Sequence, residues 1–172
     1  MGQTVRLLLL TVSCCLVADL SQAQQPSALS ETYGSWTYQC KALEASQTEA
    51  GRACQVSQEL RQSQTGSRIL SAAYTSEKLT IIAPFGVKLR EGVKAMAGEH
   101  ELPIGSFTTC LPSIGCIAEL DLGAEGLSRL LSAETLGVRL VSAAGQQIQV
   151  NLSLDGFQSA YKRLNANGPA QE

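Results

Sequence analysis

The clearest signal in this chain is a two-residue alternation of apolar and polar positions. Trp36, Tyr38 and Cys40 alternate with Thr37 and Gln39, the period of a half-buried strand. A polar loop from Ala45 to Arg52 leads to a second strand, Cys54 to Gln58. Arg68–Tyr74 and Lys78–Ala83 read as two more, and Pro84-Phe85-Gly86 interrupts the latter because proline has no N–H for the ladder. Val87 to Ala95 sets valine and leucine against charges, which predicts a hairpin turning at Glu91-Gly92 with one wet face. Ile104 to Cys110 reads as a strand and Leu111 to Gly115 as a tight turn, after which Cys116, Ala118, Leu120 and Leu122 resume the alternation. Val138 to Ser142 is a further strand. In the last one Ile148, Val150, Leu152 and Leu154 alternate strictly with Gln147, Gln149, Asn151 and Ser153, one face for the core and one for water. Helical spacing is confined to Ala124–Ala133, with Leu127, Leu130 and Leu131 on one face, and Phe157–Leu164, with Phe157, Ala160, Tyr161 and Leu164 on one stripe. About eight short, evenly spaced strands with so little helix predict an all-β, antiparallel sandwich.

The N-terminus breaks this pattern. Met1 to Arg6 is short and basic, Leu7 to Ala18 is apolar, and Ser21-Gln22-Ala23 is a small-x-small ending. These are the parts of a secretory signal peptide cleaved after Ala23. The apolar run is too short to span a bilayer, which takes about 20 residues. Cys14 and Cys15 raise the alternative of lipid attachment, but Thr11-Val12-Ser13 lacks the usual upstream leucine. The expected organisation is a signal over 1–23, a disordered leader rich in Gln, Ser, Pro and Ala over 24–32, a sandwich domain over 33–164, and a disordered tail over 165–172.

Composition narrows the partners. The remaining chain of about 150 residues can bury a real core. Its net charge of -2 offers no basic excess for phosphates, which argues against nucleic acid. No later stretch is long and apolar enough to form a transmembrane helix.

Cys40, Cys54, Cys110 and Cys116 remain after the signal, and an even count in an exported chain reads as disulfides. Four cysteines allow three connectivities. Local pairing, Cys40 with Cys54 and Cys110 with Cys116, is preferred because each pair closes a short loop between neighbouring segments. A loop the size of the first contributes about 3 kcal/mol in the chain-entropy account. The rival, a four-thiolate zinc site, lacks close Cys-x2-4-Cys pairs and conflicts with an oxidising compartment.

Candidate chemistry is sparse. His100, between Glu99 and Glu101, is the single histidine and has no partner at metal-ligand spacing, so it reads as an exposed loop residue. The nucleophile-elbow, zinc-protease and phosphate-loop motifs are missing, and the carboxylates form no pair at local spacing. Asn151-Leu-Ser153 fits a glycosylation triplet but lies on an alternating strand, where it fills the polar face. The expectation is no catalytic residue, no metal and no cofactor.

Four segments in order carry a family resemblance. They are Trp36-x-x-x-Cys40 with Cys54 and Gln58; Ala83-Pro84-x-Gly86-Val87-x-Leu89-x-x-Gly92-Val93; Phe107-x-x-Cys110 with Gly115-Cys116-x-Ala118; and Ser153-Leu154-x-Gly156-Phe157-x-x-Ala160. Together they resemble the invasion-associated locus B family of exported bacterial proteins, from about Trp36 to Leu164. After Gly92-Val93 this chain departs, because Lys94-Ala95-Met96-Ala97 replaces an apolar pair and an Asp. The resemblance implies an alphaproteobacterial source, an immunoglobulin-like β-sandwich, and a place in the periplasm or on the cell envelope. It transfers no catalytic residue. The favoured expectation is a non-catalytic interaction module for an envelope or host protein, linked to invasion or envelope maintenance. The alternative is a periplasmic small-ligand or stress-response binding protein. Oligomeric state is left open.

Overall fold

The computed structural model describes residues 28–43, 52–75 and 78–166. Two antiparallel sheets enclose one core. The larger sheet is built from β1 (Ala28–Tyr33), β2 (Trp36–Ala42), β3 (Arg52–Arg61), β4 (Arg68–Tyr74), β5 (Lys78–Ala83), β8 (Ser106–Leu111) and β9 (Gly115–Asp121), in the spatial order β1-β2-β3-β4-β5-β9-β8. The smaller contains β6 (Lys94–Ala97), β7 (His100–Glu101), β10 (Thr135–Val141) and β11 (Gln147–Ser153), ordered β11-β10-β6-β7. Helix α1 (Gly123–Ser132) joins β9 to β10, and α2 (Phe157–Ala166) follows β11. The fold is an antiparallel β-sandwich with two short helices and two disulfides.

The alternation read from the sequence sets which side chains enter the core. Trp36 and Tyr38 from β2, Val56 from β3, Leu70 and Ala72 from β4, and Leu79 and Ile81 from β5 are all fully buried. Leu136, Val138 and Leu152 meet them from the smaller sheet. Four strands cannot cover seven, and α2 fills the shortfall by packing on β1, β2 and β3. Its Phe157 lies edge-on to Trp36, with ring centroids 4.7 Å apart. The indole N–H of Trp36 donates to the Ser153 carbonyl at 2.8 Å, tying the larger sheet to β11. Gln58 also points inward, since its register partner is the buried Ala72.

Cys40 lies opposite Cys54 in the β2–β3 register and Cys110 opposite Cys116 in β8–β9. The structure joins each pair as a disulfide, with Cα atoms 4.1 and 4.0 Å apart. Directly opposed residues bring their Cβ atoms within bonding range of a disulfide, so both bridges clamp neighbouring strands.

Three sequence expectations need correction. Residues 87–95 are not a hairpin. Leu89–Glu91 forms one 3-10 turn, Val87 bridges to Ser142, and β6 pairs with β10 and β7. The alternation placed Val93 and Ala95 in the core, but Leu89 is exposed, and the pattern carried no information about which strand lies alongside. Here the N–H of Lys88 and the carbonyl of Gly86 are taken by Val141 and Ala143, so the segment crosses between sheets instead of folding back. Residues 28–32, assigned to the disordered leader, form most of β1, paired in full register with β2. Their polar composition hides an edge strand supported by its ladder with β2 and by Leu29, half-buried against the core. The tail assignment also began too early, because α2 runs through Ala166. The signal segment and residues 45–51 of the polar loop lie outside the described residues.

One motif glycine can be tested against another. Gly156 has φ +83°, and a Cβ there would sit 1.9 Å from the Tyr33 carbonyl oxygen. Gly86 has φ +87° but open space around it. Backbone strain is common to both and the collision is not. Gly86→Ala should therefore cost about 1 kcal/mol and Gly156→Ala roughly 3 kcal/mol or more, read from urea unfolding midpoints. Equal losses would contradict the close approach at Gly156.

Candidate functional site

The most developed surface feature lies on the outer face of the larger sheet. Register aligns Thr37, Ser57, Ala73, Thr80 and Glu119 in one row across β2, β3, β4, β5 and β9. The row on one side pairs Gln39 with Gln55, and the row on the other places Glu59 beside Ser71 and Ile82. Short side chains in the middle, with longer ones on both flanks, leave an open concavity of about 580 Å³. The right-handed twist of a sheet deepens such a trough.

Its floor is uncharged and rich in hydroxyls and carboxamides, which both donate and accept hydrogen bonds. Its charges are paired among themselves at the rim. Glu59 is held by Arg61 at 2.5 Å and Arg68 at 3.6 Å, and it accepts a hydrogen bond from the Ser71 hydroxyl. Arg68 also donates to the Ile114 carbonyl. Lys78 contacts Glu119 at 2.9 Å. These carboxylates therefore face cations rather than one another. The face can bind by multiple hydrogen bonds along its rows.

His100 is exposed on β7, in the smaller sheet and away from this face. Among the described residues, no group of three or more His, Cys, Asp or Glu side chains could hold a metal ion. No described helix is long and apolar enough to cross a membrane. Sequence reasoning missed the concave face altogether. Its signal was present as Thr37, Ser57 and Thr80 at the polar positions of three strands, but the row exists only once the registers are known.

A second polar cluster joins β1 to α2. Arg163 of α2 donates to both carboxylate oxygens of Glu31 on β1, at 2.7 and 2.9 Å, and its guanidinium lies 5.0 Å from the centre of the Tyr38 ring. The Tyr33 hydroxyl donates to Glu31 at 2.7 Å. The hydrogen bond from Arg163, then the one from Tyr33, holds the Glu31 carboxyl down at about 2. A paired, planar guanidinium over an aromatic face is a structural clamp.

Comparison with known proteins places this architecture. The model of the family described as invasion associated locus B (IalB) protein matches residues 36–165. The chain belongs to the invasion associated locus B family. It is 31% identical over 146 residues to the invasion protein B homologue of Brucella abortus strain 2308, covering 81% of each chain. It is 29% identical over 145 residues to invasion protein B of Bartonella bacilliformis, covering 81% of this chain and 76% of that one. In fold it is similar to the crystal structure of invasion associated protein B from Bartonella henselae, with a TM-score of 0.68 at 21% identity, over 80% of this chain and 95% of the other.

The segments that carry the family resemblance map mainly onto the framework of the sandwich, and of their named residues Gln58 alone lines the concave face. Trp36 and Phe157 join the sheets, Gly156 abuts Tyr33, and the segment from Ala83 to Val93 crosses between the sheets. Thr37, Ser57, Ala73 and Thr80 fall between these positions.

The Glu31 clamp gives a pH prediction. Its carboxyl is lowered from 4.5 in the unfolded reference to about 2 in the fold. Its stabilisation is therefore fully present above about pH 4.5 and is lost as pH falls towards 2. Glu31→Gln should lower the thermal midpoint at pH 7 and flatten its fall over that acid window. An acid limb as steep as in the native chain would show that Glu31 is not the group being titrated.

Proposed function

We propose that this chain is an exported, non-catalytic envelope protein that works by contact with another protein, through the outer face of its seven-stranded sheet. The open trough of uncharged hydrogen-bonding side chains, rimmed by ion pairs already satisfied within the chain, carries this reading. Such a surface suits an extended or flat protein partner. A small ligand is normally enclosed by a concave and largely apolar pocket. Among the described residues, Trp36, Phe157 and the leucine rows pack the space between the sheets.

Export is supported by the basic, apolar and small-x-small order of residues 1–23. The curated relatives named invasion protein B supply the biological context, with an envelope component or a host surface protein as the partner class. Binding by an open face requires only that the surface be presented rigidly, which the paired strands and disulfides provide.

The experiment compares partner capture from cell-envelope extracts, and from host-cell extracts, by the native chain and by Ser57→Arg. Ser57 is central in the trough, and an arginine there fills it while leaving the inner face of β3 untouched. The expected outcome is a specific partner whose affinity falls at least about tenfold in Ser57→Arg, with an unchanged unfolding midpoint. A partner captured equally by both chains would place the contact elsewhere. Recovery of the protein only from the cytoplasmic fraction would remove the export part of the reading.

A further inference from the structure

The structure assigns a second contact surface, beyond the trough: we infer that β11 is the seam of a two-fold dimer, in which a second copy of this chain pairs antiparallel along the same strand. A sheet edge offers unpaired N–H and C=O groups, and proteins normally blunt it with charge, proline, a bulge, brevity or an inward-pointing charge. The other three edges here are blunted. β1 carries Glu31 on its inward-facing row, clamped by Arg163. β8 is bulged between Phe107 and Thr109, and β7 has only two residues. β11 is seven residues long, continuous in register with β10, and bears no charge, proline or bulge.

Its open groups are symmetric. The Ser142 N–H to Gln146 carbonyl bond and the Leu154 N–H to Glu134 carbonyl bond fix the phase of the β10–β11 ladder. Ile148, Val150 and Leu152 therefore face β10, while the backbone groups of Gln147, Gln149, Asn151 and Ser153 face outward. The Ser153 carbonyl already accepts from Trp36. Among the described residues the free stretch thus runs from Gln147 to Asn151, with Gln149 at its midpoint.

A two-fold axis at Gln149 pairs it with its own copy and pairs Gln147 with Asn151 of the second chain. Six backbone hydrogen bonds form. Every outward side chain across the seam is a carboxamide, which can donate and accept at once. Beneath them the half-buried Ile148 lies against Val150 of the second copy, completing burial that the edge leaves unfinished. On β10 the one charged residue is Arg139, and its two copies stand about 14 Å apart by strand spacing, beyond the screening length.

The test is the mass of the exported chain by sedimentation velocity over a concentration series, for the native chain, Gln149→Lys and Gln149→Cys. The native chain should show a two-chain mass at high concentration. Gln149→Lys sets like charges together on the axis, and it should weaken association at least about tenfold without altering the unfolding midpoint measured at low concentration. Gln149→Cys should form an interchain disulfide on mild oxidation, since opposed hydrogen-bonded residues lie about 5.5 Å apart. A one-chain mass at every concentration overturns the proposal, including a monomer that takes up a foreign strand along β11. A two-chain mass insensitive to Gln149→Lys overturns it too, by placing the contact elsewhere. Neither result bears on the trough, whose test is Ser57→Arg.

Discussion

The indole of Trp36 is where the two sheets become one domain. It is fully buried, sits edge-on to Phe157, and gives its N–H to the Ser153 carbonyl at the end of β11. A large aromatic with a satisfied polar handle contributes area and direction together. The surrounding backbone is shaped to permit it. The Ser35 N–H bonds the Asp155 carbonyl, and Gly156 brings the start of α2 directly against Tyr33. The meander of β1 to β5 can then lie over a sheet of only four strands, with α2 closing the side that those strands leave open.

That arrangement explains why much of the fold was legible in the sequence and why certain pieces were not. β4 and β5 begin and end at the bounds read from the sequence, Arg68–Tyr74 and Lys78–Ala83, because polar turn residues separate the two runs. The helices were equally visible, since Leu127, Leu130 and Leu131 mark one face of α1. The segment at Val87–Ala95 misled because alternation says nothing of the neighbouring strand, and Leu89, one of its apolar positions, is exposed on a 3-10 turn. The strand β1 was hidden for the opposite reason: Ser30, Glu31 and Thr32 look like a leader, and only pairing with β2 and the Arg163 clamp give them a place.

The candidate site was the least legible part, for a physical reason. A trough across five strands is a property of register. Thr37, Ser57, Ala73 and Thr80 are unremarkable one at a time and become a surface only when aligned. The segments that identify the family perform a different task. Trp36, Gly92, Gly115, Gly156 and the disulfides maintain close approaches and crossings that the sandwich cannot do without.

The central claim is that Trp36 makes the two sheets a single cooperative unit. Native-state hydrogen exchange tests it most directly, by comparing amides of the β2–β3 ladder with those of β10–β11 in the native chain and in Trp36→Phe. The native chain should open both ladders at one common free energy. In Trp36→Phe the smaller sheet should open first, separating the two sets of amides. If both ladders in the variant still exchange at one common free energy, the sheets are joined by something other than Trp36 and the account is contradicted.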